Sequence, residues 1–223
     1  MLARYERNIP SLTLEESQLL RTKKVAVIGC GGLGGYIIEQ LARLGIGTIR
    51  IVDGDVFEES NLNRQLFSDV TVLGKPKTEV SQARIAAVNP DVKVEALHGY
   101  LEEDNAAAFL RGCDAVVGAL DNIYTRRVLE RNCEELGIPY VYGAIHGWVA
   151  QVAIDMPGQK LIQKMYPEGS TFKDKSSLSF TPGLCASLQT ALCVKLLVGR
   201  PVQTGTIFYF DMLDQEFETI PMV

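Results

Sequence analysis

The 223-residue chain is poor in the features that mark a secreted, membrane-bound or metal-tied protein: it has two histidines, one tryptophan and five cysteines. Cys30, Cys113, Cys133, Cys185 and Cys193 form no Cys-x-x-Cys pair, and their odd number and wide spacing suit reduced thiols better than a disulfide framework. His98 and His146 stand at no metal-ligand spacing from any cysteine, so no zinc is expected. No apolar run reaches the roughly 18 residues of a membrane span, and Met1 to Arg7 lack the apolar centre of an export signal. A cytoplasmic protein without a membrane partner is the expectation. Positive charge is not in excess either: 22 Lys and Arg against 27 Asp and Glu leave a net charge of −5, which speaks against nucleic acid as a partner. The phosphate-binding pattern G-x-x-x-x-G-K-[ST] is missing, which excludes a P-loop enzyme. No internal repeat and no low-complexity tract occur.

What is present begins at Val25. Four strand-forming residues run into Gly29-x-Gly31-x-x-Gly34, and an apolar-periodic helix follows. Gly29 allows the tight turn, Gly31 lets backbone approach a phosphate, and Gly34 lets the helix pack close to the strand; the phosphate then rests on the helix N-terminus. Asp53 closes the next apolar strand at the distance where an acid reaches a ribose hydroxyl.

With 47% hydrophobic residues, the chain can bury one large α/β core. We read 1–223 as a single domain with a helical arm at 1–22. Helical patterns at 77–88, 104–111 and 122–136 alternate with strand patterns at 92–97, 115–119 and 140–144, which predicts a doubly wound, Rossmann-like, mostly parallel sheet. Strand patterns at 148–155, 205–210 and 216–220 and a helix at 184–198 close the chain as an antiparallel extension. Residues 156–182 are irregular, and a loop that long is usually functional.

The chemistry-bearing residues fall after strands, where ligands bind in open α/β sheets. They are Asp53-x-Asp55, Asn61-Leu-Asn-Arg64-Gln65, Gly74-Lys-Pro-Lys77 and Asp121-Asn122. Arg64 and Lys77 offer cations to phosphate oxygens, and Asp121 offers a carboxylate to Mg²⁺. Asp121-Asn122 also reads as a helix cap. A nucleoside triphosphate suits this set. The acid–base groups for hydride transfer are thin, since neither His98 nor His146 has an evident carboxylate partner. An NAD-dependent oxidoreductase and a nucleotide-binding scaffold without turnover are the alternatives.

Taken in order, Gly29-x-Gly-Gly-Leu-Gly34, Val52-Asp-x-Asp55, Ser60-Asn-Leu-x-Arg-Gln65, Gly74-x-Pro-Lys77, Asn89-Pro90 and Asp121-Asn-x-x-x-Arg126 resemble the ThiF/MoeB/HesA family, relatives of the ubiquitin-activating enzymes. The resemblance runs from about Arg4 to the C-terminal strands. It implies an adenylyltransferase that uses ATP and Mg²⁺ to convert the C-terminal glycine carboxylate of a ubiquitin-like sulfur-carrier protein, ending in Gly-Gly, into an acyl-adenylate. By the same resemblance, Asp53 binds ribose, Gly31 and Gly32 meet the phosphates beside Gly29 and Gly34, and Asn61, Arg64 and Lys77 hold the triphosphate. Gln65 supports the loop, Asp55 lines the nucleotide site and Asp121 holds Mg²⁺. Arg7 matches an arginine that reaches the partner subunit's ATP, which implies a homodimer with shared sites. Two zinc-binding Cys-x-x-Cys pairs of many members are missing. So is the cysteine of the crossover loop, here Lys173-Asp-Lys-Ser-Ser-Leu-Ser179, so no covalent cysteine step is expected. Cys185 and Cys30 are read as packing residues. His146 and Trp148 are read the same way, with the carrier's tail channel as the other reading.

Overall fold

Eight strands form one sheet in the computed structural model, which describes residues 3–171 and 176–222. The strands, with their ranges, are β1 Lys24–Ile28, β2 Thr48–Asp53, β3 Lys93–His98, β4 Ala115–Gly118, β5 Tyr140–His146, β6 Val149–Asp155, β7 Thr206–Asp211 and β8 Glu216–Pro221, and they lie in the order β3-β2-β1-β4-β5-β6-β7-β8. The first five are parallel and the last three antiparallel. The expected doubly wound architecture with antiparallel C-terminal strands is therefore what the chain adopts.

The helices are α1 Leu14–Leu20, α2 Gly32–Leu44, α3 Lys77–Val88, α4 Glu103–Leu110, α5 Ile123–Leu136, α6 Leu161–Met165 and α7 Phe180–Leu197. Strand alternation sorts the core into two layers. On β1, Val25 and Val27 join the cluster that includes Ile37, Leu41, Ile85 and Cys193 of α2, α3 and α7. Ala26 and Ile28 face the opposite cluster, with Leu110, Leu129 and Ile162 of α4, α5 and α6. Both faces of β1 and β4 are thus covered, which explains their unbroken apolar runs.

Most elements fall within a few residues of the sequence expectation, and the differences are instructive. The last helix begins at Phe180 rather than 184, because Pro182 sits in its first turn, where the missing N–H costs nothing. The same α7 is 18 residues long with a mean hydropathy of 1.3, so by length and composition it passes for a membrane span, but half of it is buried inside the protein against the sheet. The irregular stretch 156–182 contains α6, and residues 172–175, which include Lys173 of the crossover segment, lie outside the described residues. The N-terminal arm is a short 3-10 helix, Ala3–Asn8, followed by α1, whose Thr13 and Glu16 form a reciprocal capping box.

Candidate nucleotide site

Strand order reverses between β1 and β4, and a cavity of 790 Å³ opens at the carboxyl ends of these strands. That is the place and size expected of a small-molecule site in such a sheet. The turn after β1 shapes its floor. Gly29 has φ +100°, and a Cβ there would stand 2.5 Å from the Ala119 carbonyl oxygen. At Gly34 the clearance is smaller, 1.9 Å from a Cβ to the Gly29 carbonyl oxygen, so helix and strand meet through bare backbone. Gly29, Gly31 and Gly32 line the cavity, whereas Gly34 lies under the turn and does not.

Asp53 ends β2 beside this turn. Its Oδ2 accepts the Cys30 N–H at 2.7 Å and its Oδ1 the Asp55 N–H at 2.8 Å. Burial pushes its carboxyl above the usual range, opposed by those two N–H groups and by Lys77. Lys77, the first residue of α3, is buried in the wall and donates from Nζ to Asp55 Oδ2 at 2.9 Å. Arg64 lies across from the turn, donating to the Ser60 carbonyl and Asn63 Oδ1, both at 2.9 Å. Asn61 is buried, and its Oδ1 accepts the Glu58 N–H at 3.0 Å, which fixes the loop that carries Arg64. Gln65 packs its amide against Gly31. Its Oε1 is buried without a hydrogen-bond partner among the described residues. The two ends of that amide are interchangeable by a flip, and in the flipped orientation its NH2 would stand where the oxygen now lacks a partner.

Asp121 and Asn122 follow β4 and divide their work. Asn122 caps α5 by accepting the Thr125 N–H at 2.8 Å, and Asp121 lines the cavity. Among the described residues no group of three or more His, Cys, Asp or Glu is placed to hold a metal. A lone carboxylate nevertheless fits Mg²⁺, which is commonly held by one or two carboxylates together with substrate phosphates.

One cavity thus gathers Gly29, Gly31, Gly32, Asp53, Asp55, Asn61, Arg64, Gln65, Lys77 and Asp121. Arg7 is exposed in the N-terminal 3-10 helix and is not part of that wall. Several lining residues were not singled out by sequence reasoning, namely Tyr100, Thr125, Lys164 and Tyr166; Arg126 was quoted in a motif but given no role. Arg126 is buried, donating to the Tyr166 hydroxyl at 2.9 Å and to the Leu120 and Gly143 carbonyls, with its guanidinium 5.0 Å from the Tyr142 ring centre. His146 lines the cavity, while Trp148 instead packs on Phe180 with ring centres 4.9 Å apart. All five cysteines are buried and none lines the cavity; burial pushes the thiols of Cys30, Cys133, Cys185 and Cys193 well up.

A doubly wound sheet with a glycine turn, an acid at the end of its second strand and two cationic side chains at its switch point is the architecture of a nucleotide-handling enzyme without a P-loop. The chain belongs to the ThiF family, whose model matches residues 5–223. It is 34% identical over 229 residues to the SAMP-activating enzyme E1 of Haloferax volcanii, covering 99% of this chain and 85% of that one. It is 33% identical to the sulfur carrier protein adenylyltransferase of Thermus thermophilus, with 98% and 86% covered. Among solved structures, E. coli MccB with MccA-N7isoASN superimposes with a TM-score of 0.86 at 22% identity, covering 99% of this chain and 71% of that one, a likeness of fold. The chain is accordingly an ATP-using adenylyltransferase of the ubiquitin-activating type.

Proposed function

We propose that this enzyme adenylates the C-terminal glycine carboxylate of a ubiquitin-like sulfur-carrier protein, with Mg²⁺ and without a covalent cysteine step. The observation that carries the reading is the convergence of a ribose acid, a phosphate cradle, two cations and Asp121 on one cavity. A carboxylate is already a nucleophile, so the reaction needs little proton transfer. Rate then comes from aligning that carboxylate with the α-phosphate and neutralising charge on the departing pyrophosphate. Arg64 and Lys77 supply positive charge, Asn61 and Gln65 shape the cradle, and Asp53 fixes the ribose. Asp121 would hold Mg²⁺, which would supply charge neutralisation at the phosphates. The named substrates of the similar proteins from Haloferax and Thermus support a carrier protein as the acyl donor. The burial of every cysteine away from the cavity supports a path with no thioester.

Exchange of labelled pyrophosphate into ATP, dependent on a carrier tail ending in Gly-Gly, tests the reading. A variant with all five cysteines replaced by serine or alanine should retain that exchange whenever it folds. A carrier–enzyme adduct cleaved by thiol reductant would sink the cysteine-free path, and no exchange with any carrier tail would sink the substrate assignment.

A further inference from the structure

Lys77 reaches the cavity through a relay. Its side chain is 7% exposed, and the Asp55 carboxylate that takes its ammonium on Oδ2 accepts a second hydrogen bond on Oδ1, from the Tyr100 hydroxyl at 2.8 Å. The three residues come from separate places, the loop after β2, the start of α3 and the loop after β3, and all line the cavity. The Tyr100 ring lies flat enough on the backbone of Gly54 that a Cβ there would stand 2.6 Å from it. Since 63% of Tyr100 is exposed, apolar burial is not what holds it in this position. An aspartate gripped on one oxygen swings about its side-chain torsion, and a lysine on a four-carbon stem swings with it. A donor on the second oxygen removes that freedom.

We propose that Tyr100 is a positioning residue of the nucleotide site: its hydroxyl locks the Asp55 carboxylate, which holds the Lys77 ammonium where triphosphate oxygens meet it. The proposal rests on the cavity being the ATP site. The charges agree with it. Burial alone would raise the Asp55 carboxyl, yet Lys77 and the Tyr100 hydroxyl outweigh burial and hold it below its ordinary range. Asp55 in turn raises the Tyr100 phenol, with Asp53 adding to it. Asp53 on β2 is the other carboxylate facing the relay, and the buried Cys30 thiol lies behind it.

Calorimetric titration of Mg-ATP into the full chain, from about pH 3 to about pH 8 so that the range in which Asp55 takes up its proton is covered, tests this. Tyr100→Phe keeps the ring and loses only the hydroxyl. It should weaken Mg-ATP binding on the order of five-fold near neutrality. It should also move the acid limb of binding to higher pH, because Asp55 loses a hydrogen bond that favours its carboxylate. The thermal midpoint of the ligand-free protein should not move. In an Asp55→Asn background the same substitution should cost nothing more, since the relay is already broken. A Tyr100→Phe profile that overlays the wild type, or an equal loss in both backgrounds, overturns the proposal alone. Wild-type protein that fails to bind Mg-ATP overturns the reading of the cavity and the relay with it.

Discussion

Gly34 has no room for a methyl group. Its Cβ would stand 1.9 Å from the Gly29 carbonyl oxygen, which is backbone and cannot rotate away. Gly34→Ala should therefore lift α2 off the turn, cost about 1–3 kcal/mol in urea unfolding and loosen Mg-ATP binding together with stability. Lys77→Ala acts differently. Removing a cation aimed at developing charge should lower pyrophosphate exchange on the order of 10²–10³ in rate, while the melting temperature tracks only the lost ion pair with Asp55. These residues were legible in the sequence because their meaning is local. The glycine spacing, the acid at the end of the second strand and the Gly-x-Pro-Lys77 helix start each carry their geometry within a few residues. Tyr100, Lys164 and Tyr166 carry no such signal, because only the packing of distant elements brings them to the cavity. The division of labour between Asp121 and Asn122 was equally hidden, since either residue type can cap a helix.

The elements that sequence reading placed well are those with a strong period or an unmistakable stop, such as α3 before Asn89-Pro90. The α-helix it missed among the described residues, α6, is too short for periodicity and is held by tertiary contacts. Its first N–H groups are taken by two buried carboxyls: Asp155 Oδ1 accepts from Leu161 at 3.2 Å, and Glu130 Oε1 accepts from Ile162 at 2.6 Å and from Gln163 at 3.2 Å. Such groups are what an uncapped helix start needs. Placing two carboxyls together out of water has a cost, and burial, with Glu130 alongside, pushes Asp155 up to about 7. Cys133 and Tyr140 also face the pair and add no positive charge. An acid whose folded pKa is raised binds its proton more tightly in the native state, so its contribution is full below about pH 4 and is lost as pH rises through about 7. The melting temperature of the wild type should carry a falling component between those limits. Asp155→Asn, which keeps an acceptor for Leu161 and adds a donor toward Glu130, should flatten it. An unchanged slope in the variant would mean that other groups set the pH dependence.

At the scale of the whole molecule, Arg7 stands exposed on the N-terminal arm and outside the wall of its own cavity. The homodimer that the sequence resemblance implies would put that arginine on the partner's triphosphate, which makes a definite prediction for mixed protomers. Arg7→Ala and Lys77→Ala should each be inactive alone, whereas refolding or exchanging them together should restore about a quarter of wild-type exchange, because half the dimers then hold one intact site. Mixtures no more active than their parts would exclude Arg7 acting across a dimer, and an Arg7→Ala protein as active as wild type would place it outside the chemistry. Leu66, Val70 and Leu73, exposed just after the Arg64 loop, offer apolar surface beside the cavity for such a contact.

The cavity wall is also written in two consecutive stretches of chain. One runs from Ile28 to Arg126, and the other from Ala144, on β5, to Met222, after β8. Between them lies Gly137-Ile-Pro139, the exposed-to-buried passage from α5 to β5. Every candidate nucleotide contact, from Gly29 to Asp121, lies upstream of that passage, so the wall residues downstream of it can be substituted without touching one of them.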